Sequence, residues 1–222
     1  MTRVYDILAD LLEYPGSDWD ANIHACRSLV SGANCELLTT FTEFCDEVQG
    51  LSLSSLQELY TRTFDLNPVC ALDIGHHLFG ENYKRGIFLA NLRLTEAAYE
   101  LRQQHQLPDY LPVLLRLVAR LGDEELRAAL IVECLIPALE KMLRTLSEGD
   151  NPYRHLMAMA NAALKSEVGK YSTTVQRASL PVLANDPRNG ANPHEFTAPE
   201  FRISSCEFVD PSVAVKTNPD LF

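Results

Sequence analysis

LQELYTRTFDLNP (residues 56–68), HHLFGENYKRG (76–86) and LPDYLP (107–112) are three pieces of one stretch, Leu56 to Pro112, around which this chain is organised. In the first piece Leu56, Leu59, Tyr60, Thr63 and Phe64 recur at helical spacing. Ser55 and Glu58 have capping-box spacing and predict where that helix begins. Asn67-Pro68 ends it, because the residue before a proline avoids the helical region. The second piece is a polar turn at Gly80-Glu81-Asn82. It joins a short helix predicted over residues 71–79 to a long one predicted from Tyr83 to about Gln104. The ladder expected to face the core of the long helix is Ile87, Ala90, Leu94, Ala97 and Leu101. The third piece opens a helix over residues 107–121 with a Pro-Asp pair. Asp109, Arg116 and Arg120 are expected on its polar face.

Helices extend outward in both directions. Upstream, three are predicted over residues 2–13, 18–30 and 35–48, stopped by Pro15-Gly16, Ser31-Gly32 and Gly50. Downstream, Leu126, Leu130, Cys134, Leu135, Ala138, Met142 and Leu146 stay in register across Pro137. That predicts a kinked rather than a broken helix. Pro152 suits the first turn of a last helix running through about Lys165. The body shows no strand pattern of useful length. The expected fold is therefore all-α, a single bundle of about eight to ten helices over residues 1–170. Residues 171–222 hold six of the twelve prolines and no sustained ladder, so an extended, Pro-rich tail is expected there. Its short apolar pieces, SLPVL, EFTAPEF and CEFV, suit docking on the body or on a neighbour.

Composition narrows function. A net charge of −11 argues against nucleic acid, which requires a basic face, and suits basic peptide partners. No apolar run approaches the roughly 18 residues that span a bilayer, and the N-terminus lacks the pattern of a signal peptide. Neither membrane insertion nor export is expected. Cys26, Cys35, Cys45, Cys70, Cys134 and Cys206 are scattered, with no C-x-x-C pair. They read as buried small hydrophobes in a reducing cytoplasm.

Catalytic patterns are missing. The six histidines include no H-x-x-x-H pair, and the adjacent His76 and His77 point about 100° apart on a helix. The sequence has no G-x-S-x-G elbow and no G-K-[ST] phosphate loop. Gly80 and Gly86 fit a turn and close helix packing. A metal-dependent enzyme using His76, His77 or Cys70 is the weaker alternative. What remains is a polar set: Asp65, His77, Glu81, Lys84, Arg85, Asp109 and Tyr110. These residues converge if the helices flanking residues 66–82 pack together. They serve either as caps and ion pairs pinning a long connection or as the rim of a peptide-binding groove. A helical adaptor or scaffold is the other non-catalytic alternative.

YTRTFDLNP at 60–68, HHLFGENYKRG at 76–86 and LPDYLPVLL at 107–115, in this order and spacing, resemble the NarJ-type, TorD/DmsD-related chaperones of molybdoenzyme assembly. Weaker likeness runs over about residues 1–165. The resemblance implies an all-helical, non-catalytic, cytoplasmic protein that holds no cofactor tightly. Its partner would be the N-terminal leader of an apo catalytic subunit, held until molybdopterin guanine dinucleotide is inserted; nitrate reductase is the default client. Whether such a protein works as a homodimer stays open. By motif, Tyr60, Phe64 and Asp65 fall in the first signature. His77, Gly80, Arg85 and Gly86 fall in the second, and Pro108, Asp109, Tyr110 and Pro112 in the third. Tyr110 stands where TorD-like members carry His, which places the chain nearer the NarJ branch. Glu58, Tyr60, Phe64, Asp65 and Pro112 are thereby assigned to the client groove or its support, and His77, Arg85, Asp109 and Tyr110 to its rim.

Overall fold

A computed structural model describes residues 2–32, 35–66, 70–99 and 106–175. The Asn67-Pro68 stop, Leu101, the expected helix end at Gln104, and residues 176–222 lie outside them. The described residues form an all-α bundle with no strand among them. α1 spans Thr2–Leu11, α2 Trp19–Val30 and α3 Cys35–Val48. α4, Leu53–Tyr60, runs directly into a wider π-turn over Thr61–Asp65. α5 is Ile74–Phe79, α6 Tyr83–Ala98 and α7 Leu111–Arg120. α8, Glu124–Ala129, continues through a π-segment, Leu130–Leu135, into α9, Ile136–Leu146. α10 spans Tyr153–Val175.

α1 lies against α7 and α2, while α10 fills the space between α3 and α9. The core is continuous. Leu8, Leu11 and Leu12 of the first helix and its end meet Leu114, Leu117 and Val118 of α7, all essentially without solvent contact. Phe41, Phe44, Tyr60, Phe64 and Tyr153 form an aromatic cluster at the α10 N-terminus. The Phe64 and Tyr153 rings are edge-on at 4.8 Å. Such pairs add to the area they bury.

Local chemistry sets the ends. Ser52, not Ser55, caps α4: its Oγ accepts from the Ser55 N–H at 3.1 Å. The helix is therefore capped three residues earlier than the Ser55/Glu58 spacing suggested. Asp123 caps α8 by accepting from the N–H groups of Glu125 and Leu126. Gly50 and Gly80 have φ of +79° and +59°, conformations glycine adopts without strain, and each ends a helix. Pro137 does not break the helix. It sits in the first turn of α9, and the six residues before it are wound as a π-helix. A proline supplies no N–H to the carbonyl four residues back, and local widening accommodates that loss. α10 runs to Val175, ten residues beyond the expected end near Lys165.

α6 departs most from expectation. Ile87 and Leu94 are 54% and 58% exposed, and Ala90 and Ala97 also face solvent. The buried face is instead Phe88, Leu92 and Glu96, with Arg85 half-buried on the same side. The predicted ladder is thus the outer stripe. The inner stripe contains two charged residues, and one of them, Arg85, is held inside by the arrangement described next.

Candidate functional site

The three signature pieces meet at one corner. Asp73 and Tyr110 form one antiparallel bridge: Ile74 N–H donates to Asp109 O at 2.8 Å, and Leu111 N–H to Leu72 O at 2.9 Å. This pairing holds the start of α5 against the start of α7. Pro112, in the first turn of α7, is buried beneath it.

Behind the pairing lies a charged node. The Asp109 side chain has no solvent exposure, which corrects its expected place on a polar helix face. Its Oδ2 accepts from Arg85 Nε at 3.0 Å and from Gly75 N–H at 3.2 Å. Arg85 also lies 3.7 Å from Asp73. A carboxylate persists in such a place only with a cation and donors around it. Gly75 makes the node possible, since a Cβ there would stand 2.6 Å from Asp109 Oδ2 and 3.2 Å from the Phe88 ring. Gly86 has open space around it, so the glycine required for close packing is Gly75. Its hint in the sequence was slight: a glycine inside the short IGHHLF helix.

In front of the node is a cleft of about 290 Å³ between the end of α1, the π-turn after α4, and the α7 N-terminus. Its floor is Tyr60, Phe64, Leu72 and Tyr110. The Tyr60 and Tyr110 hydroxyls are 2.8 Å apart, and Tyr60 donates to Leu12 O at 3.2 Å. Tyr110 Oη also lies 3.4 Å from Glu13 Oε2. Burial pushes both phenols well above their ordinary range; Tyr110 and then Glu13 and Asp65 add to the shift of Tyr60, whereas for Tyr110 the bond to Tyr60 opposes it and Glu13 and Asp65 add, so both stay protonated donors. The rim carries Glu13, Asp65 and Asp73, and among the described residues no Lys, Arg or His lines the cleft. Glu13 is partly neutralised by Arg116 at 2.8 Å. Burial raises the Asp73 carboxyl; Asp109 adds to the shift and Arg85 opposes it. The C-terminal ends of α1 and of the π-turn add negative partial charge, while the α7 N-terminus opposes them. Tyr14 lines the cleft and is exposed, as are Leu66 and Leu107, each next in sequence to a lining residue, Asp65 and Gln106.

Of the predicted residues, Tyr60, Phe64, Asp65 and Tyr110 share this cleft, and Arg85 and Asp109 support it from behind. His77 is elsewhere. Its Nε2 lies 2.6 Å from Ala71 O, its carbonyl accepts from Lys141, and burial holds its pKa below the ordinary value. His76 faces Glu81 at 3.8 Å. Glu58 is exposed and borders a separate hollow with Arg62 and Asp150. The expected convergence is thus split between the cleft, the node and the far side of α5. Glu13, Tyr14, Leu72 and Asp73 were missed; α1 comes to the cleft only through the tertiary fold. Among the described residues no cluster of three His, Cys, Asp or Glu could hold a metal ion. No described helix is long and apolar enough to cross a membrane. Cys26, Cys45, Cys70 and Cys134 are buried as expected, while Cys35 is exposed. Burial pushes the Cys26 thiol up to about 12, and burial likewise raises that of Cys70.

An all-helical bundle with an acidic, aromatic-floored cleft is the class of structure these residues define. No family model matches the chain. The chain is 27% identical over 164 residues to the probable nitrate reductase molybdenum cofactor assembly chaperone NarJ of Bacillus subtilis (strain 168). That alignment covers 73% of this chain and 88% of the relative. The resemblance to NarJ-type chaperones carried by the three signature pieces is thereby borne out.

Proposed function

We propose that this protein is an assembly chaperone for a molybdoenzyme. It binds the N-terminal leader of the apo catalytic subunit and holds that subunit until the molybdenum cofactor is inserted. It does so by binding and release, without bond-breaking chemistry and without a tightly held cofactor of its own. A nitrate reductase is the client that the named relative suggests.

The observation that carries this reading is the cleft. Among the described residues, three carboxylates and no cation line it, over a floor of two tyrosines, a phenylalanine and a leucine. A leader with a basic turn followed by an apolar helix matches both features. Its cations would meet Glu13, Asp65 and Asp73. One or two apolar side chains would fill about 290 Å³, and the helix would lie over Tyr14, Leu66 and Leu107. The node of Arg85, Asp109 and Gly75 keeps the floor in place, so the signature residues Arg85 and Asp109 act as support rather than as contacts.

The test is calorimetric titration of the full chain with leader peptides of molybdoenzyme catalytic subunits, nitrate reductase first. Micromolar binding that weakens with salt is expected. Asp65→Asn with Tyr14→Ala, both at exposed positions, should weaken it about tenfold. Absence of binding at low salt to any such leader would sink the leader reading. Undiminished binding by the double variant would move the site away from this cleft.

A further inference from the structure

The outer face of α6 is apolar and uncovered among the described residues. Tyr83, Ile87, Ala90 and Leu94 run along it at intervals of four, three and four residues, with Tyr83 74% exposed. This stripe is about 16 Å long, at about 1.5 Å per residue. Gly86, Leu89 and Arg93 line a shallow hollow beside it together with Ala90 and Leu94. The helix carries Lys84 at its start and an exposed Arg93 beside the stripe, while its Arg85 turns inward to Asp109. Its one carboxylate, Glu96, is buried on the opposite face. The surface is therefore apolar with cationic edges, the reverse of the acidic cleft and unsuited to a basic leader.

We propose that residues 195–210 of the same chain, EFTAPEFRISSCEFVD, dock on this face. The segment has Glu195, Glu200, Glu207 and Asp210 against one cation, Arg202. Among those charges it carries Phe196, Phe201, Ile203, Phe208 and Val209. It thus matches the face in both respects, an apolar series and the opposite charge. The other apolar piece singled out beyond α10, SLPVL at 179–183, has no charge to complement Arg93. Reach is ample. The 19 residues 176–194 that follow α10 span up to about 60 Å, while a body of this size is about 40 Å across. A segment tethered in this way meets the face at high effective concentration, so modest contacts suffice. Docking removes an exposed apolar stripe that would otherwise favour self-association. The inference does not depend on what the cleft binds.

Cys206 lies in the segment and provides the test. The full chain is prepared with Cys35→Ser, which removes the exposed thiol, and with Ile87→Cys. A short bis-maleimide is then added to the dilute protein. An intrachain link between positions 87 and 206 is expected, about tenfold above that from Val132→Cys, an exposed site on the π-segment after α8. Arg93→Glu should reduce the yield several-fold. Hydrogen exchange gives a second measurement. Phe196→Asp with Phe201→Asp and Phe208→Asp in the full chain should speed exchange over residues 83–97 and leave α7 unchanged. Equal yields from positions 87 and 132 would overturn the proposal, as would unchanged exchange over α6. A link formed only between two chains would also overturn it, and would assign the face to a second copy.

Discussion

The cleft and the outer face of α6 are both apolar surfaces, and they were built in opposite ways. The cleft takes its floor from α4, α7 and the segment before α5, and its rim from carboxylates. Its polar atoms are tied down: two phenols share a hydrogen bond, and Asp109 is held by Arg85 and Gly75. The α6 face comes from one helix alone, its side chains have no described partner elements, and its edges are cationic. A surface made by several elements holds a fixed shape, whereas a surface made by one helix offers only a stripe. The first suits an outside ligand that needs specificity. The second suits a tethered segment whose affinity need not be high.

The largest expected effect tests the support of the cleft. Asp109→Ala leaves Arg85 without its closest anion and Gly75 N–H without an acceptor. It should cost about 3–5 kcal/mol in denaturant unfolding. A loss under about 1 kcal/mol would mean the node does not hold the corner. The next separates the two faces of α6. Leu92→Ala, at a position 1% exposed, should cost about 2–4 kcal/mol, and Leu94→Ala about 0.5 kcal/mol or less. Equal losses would show that the helix is turned differently.

A smaller effect concerns Glu96, on the inner side of α6. Its Oε1 has no hydrogen-bond partner among the described residues, and burial raises its pKa to about 7, against attraction from Arg93. The folded state then binds the proton more tightly than the unfolded chain. The stability that this carboxyl contributes is fully present below its unfolded value near 4.5 and is lost as pH rises through about 7. Glu96→Gln should therefore raise stability at pH 8 by about 1–2 kcal/mol and change it little at pH 4, as read from unfolding curves at the two pH values. The smallest effect is on the rim. Asp65→Asn should leave stability within about 0.5 kcal/mol while weakening leader binding several-fold, and a clear loss of stability would recast Asp65 as structural.

Much of the scaffold was legible in the sequence. Gly50 and Gly80 stop helices because each takes a positive φ, and Asp123 and Pro152 mark helix starts. Tyr60, Phe64 and Tyr110 were singled out and do share a cleft, since each lies at an end where a helix meets a turn. Ser55 misled because Ser52 lies one turn earlier and caps the helix there, accepting from the Ser55 N–H itself. Glu58 and His77, expected at the groove and its rim, lie away from the cleft. A helix separates side chains by about 100° per residue, so a neighbour in a motif need not be a neighbour in space.

By itself, then, the sequence determined the helical class, most element boundaries, the acidity that suits a basic partner, and the three pieces that mark the corner. These depend on local preferences and periodicity, which act over one or two turns. Only the tertiary structure decided which side of α6 faces inward. Periodicity places residues on a common stripe but does not say which of two stripes meets the core. The outer stripe, Ile87, Ala90 and Leu94, is the more apolar in the sequence. The inner one was chosen because Asp109, supplied from the start of α7, neutralises Arg85 and lets Phe88 and Leu92 pack behind Gly75. Glu13 and Tyr14 reached the cleft for the same kind of reason. Their place depends on α1 lying along α7, a contact between residues about a hundred positions apart, which no local pattern encodes.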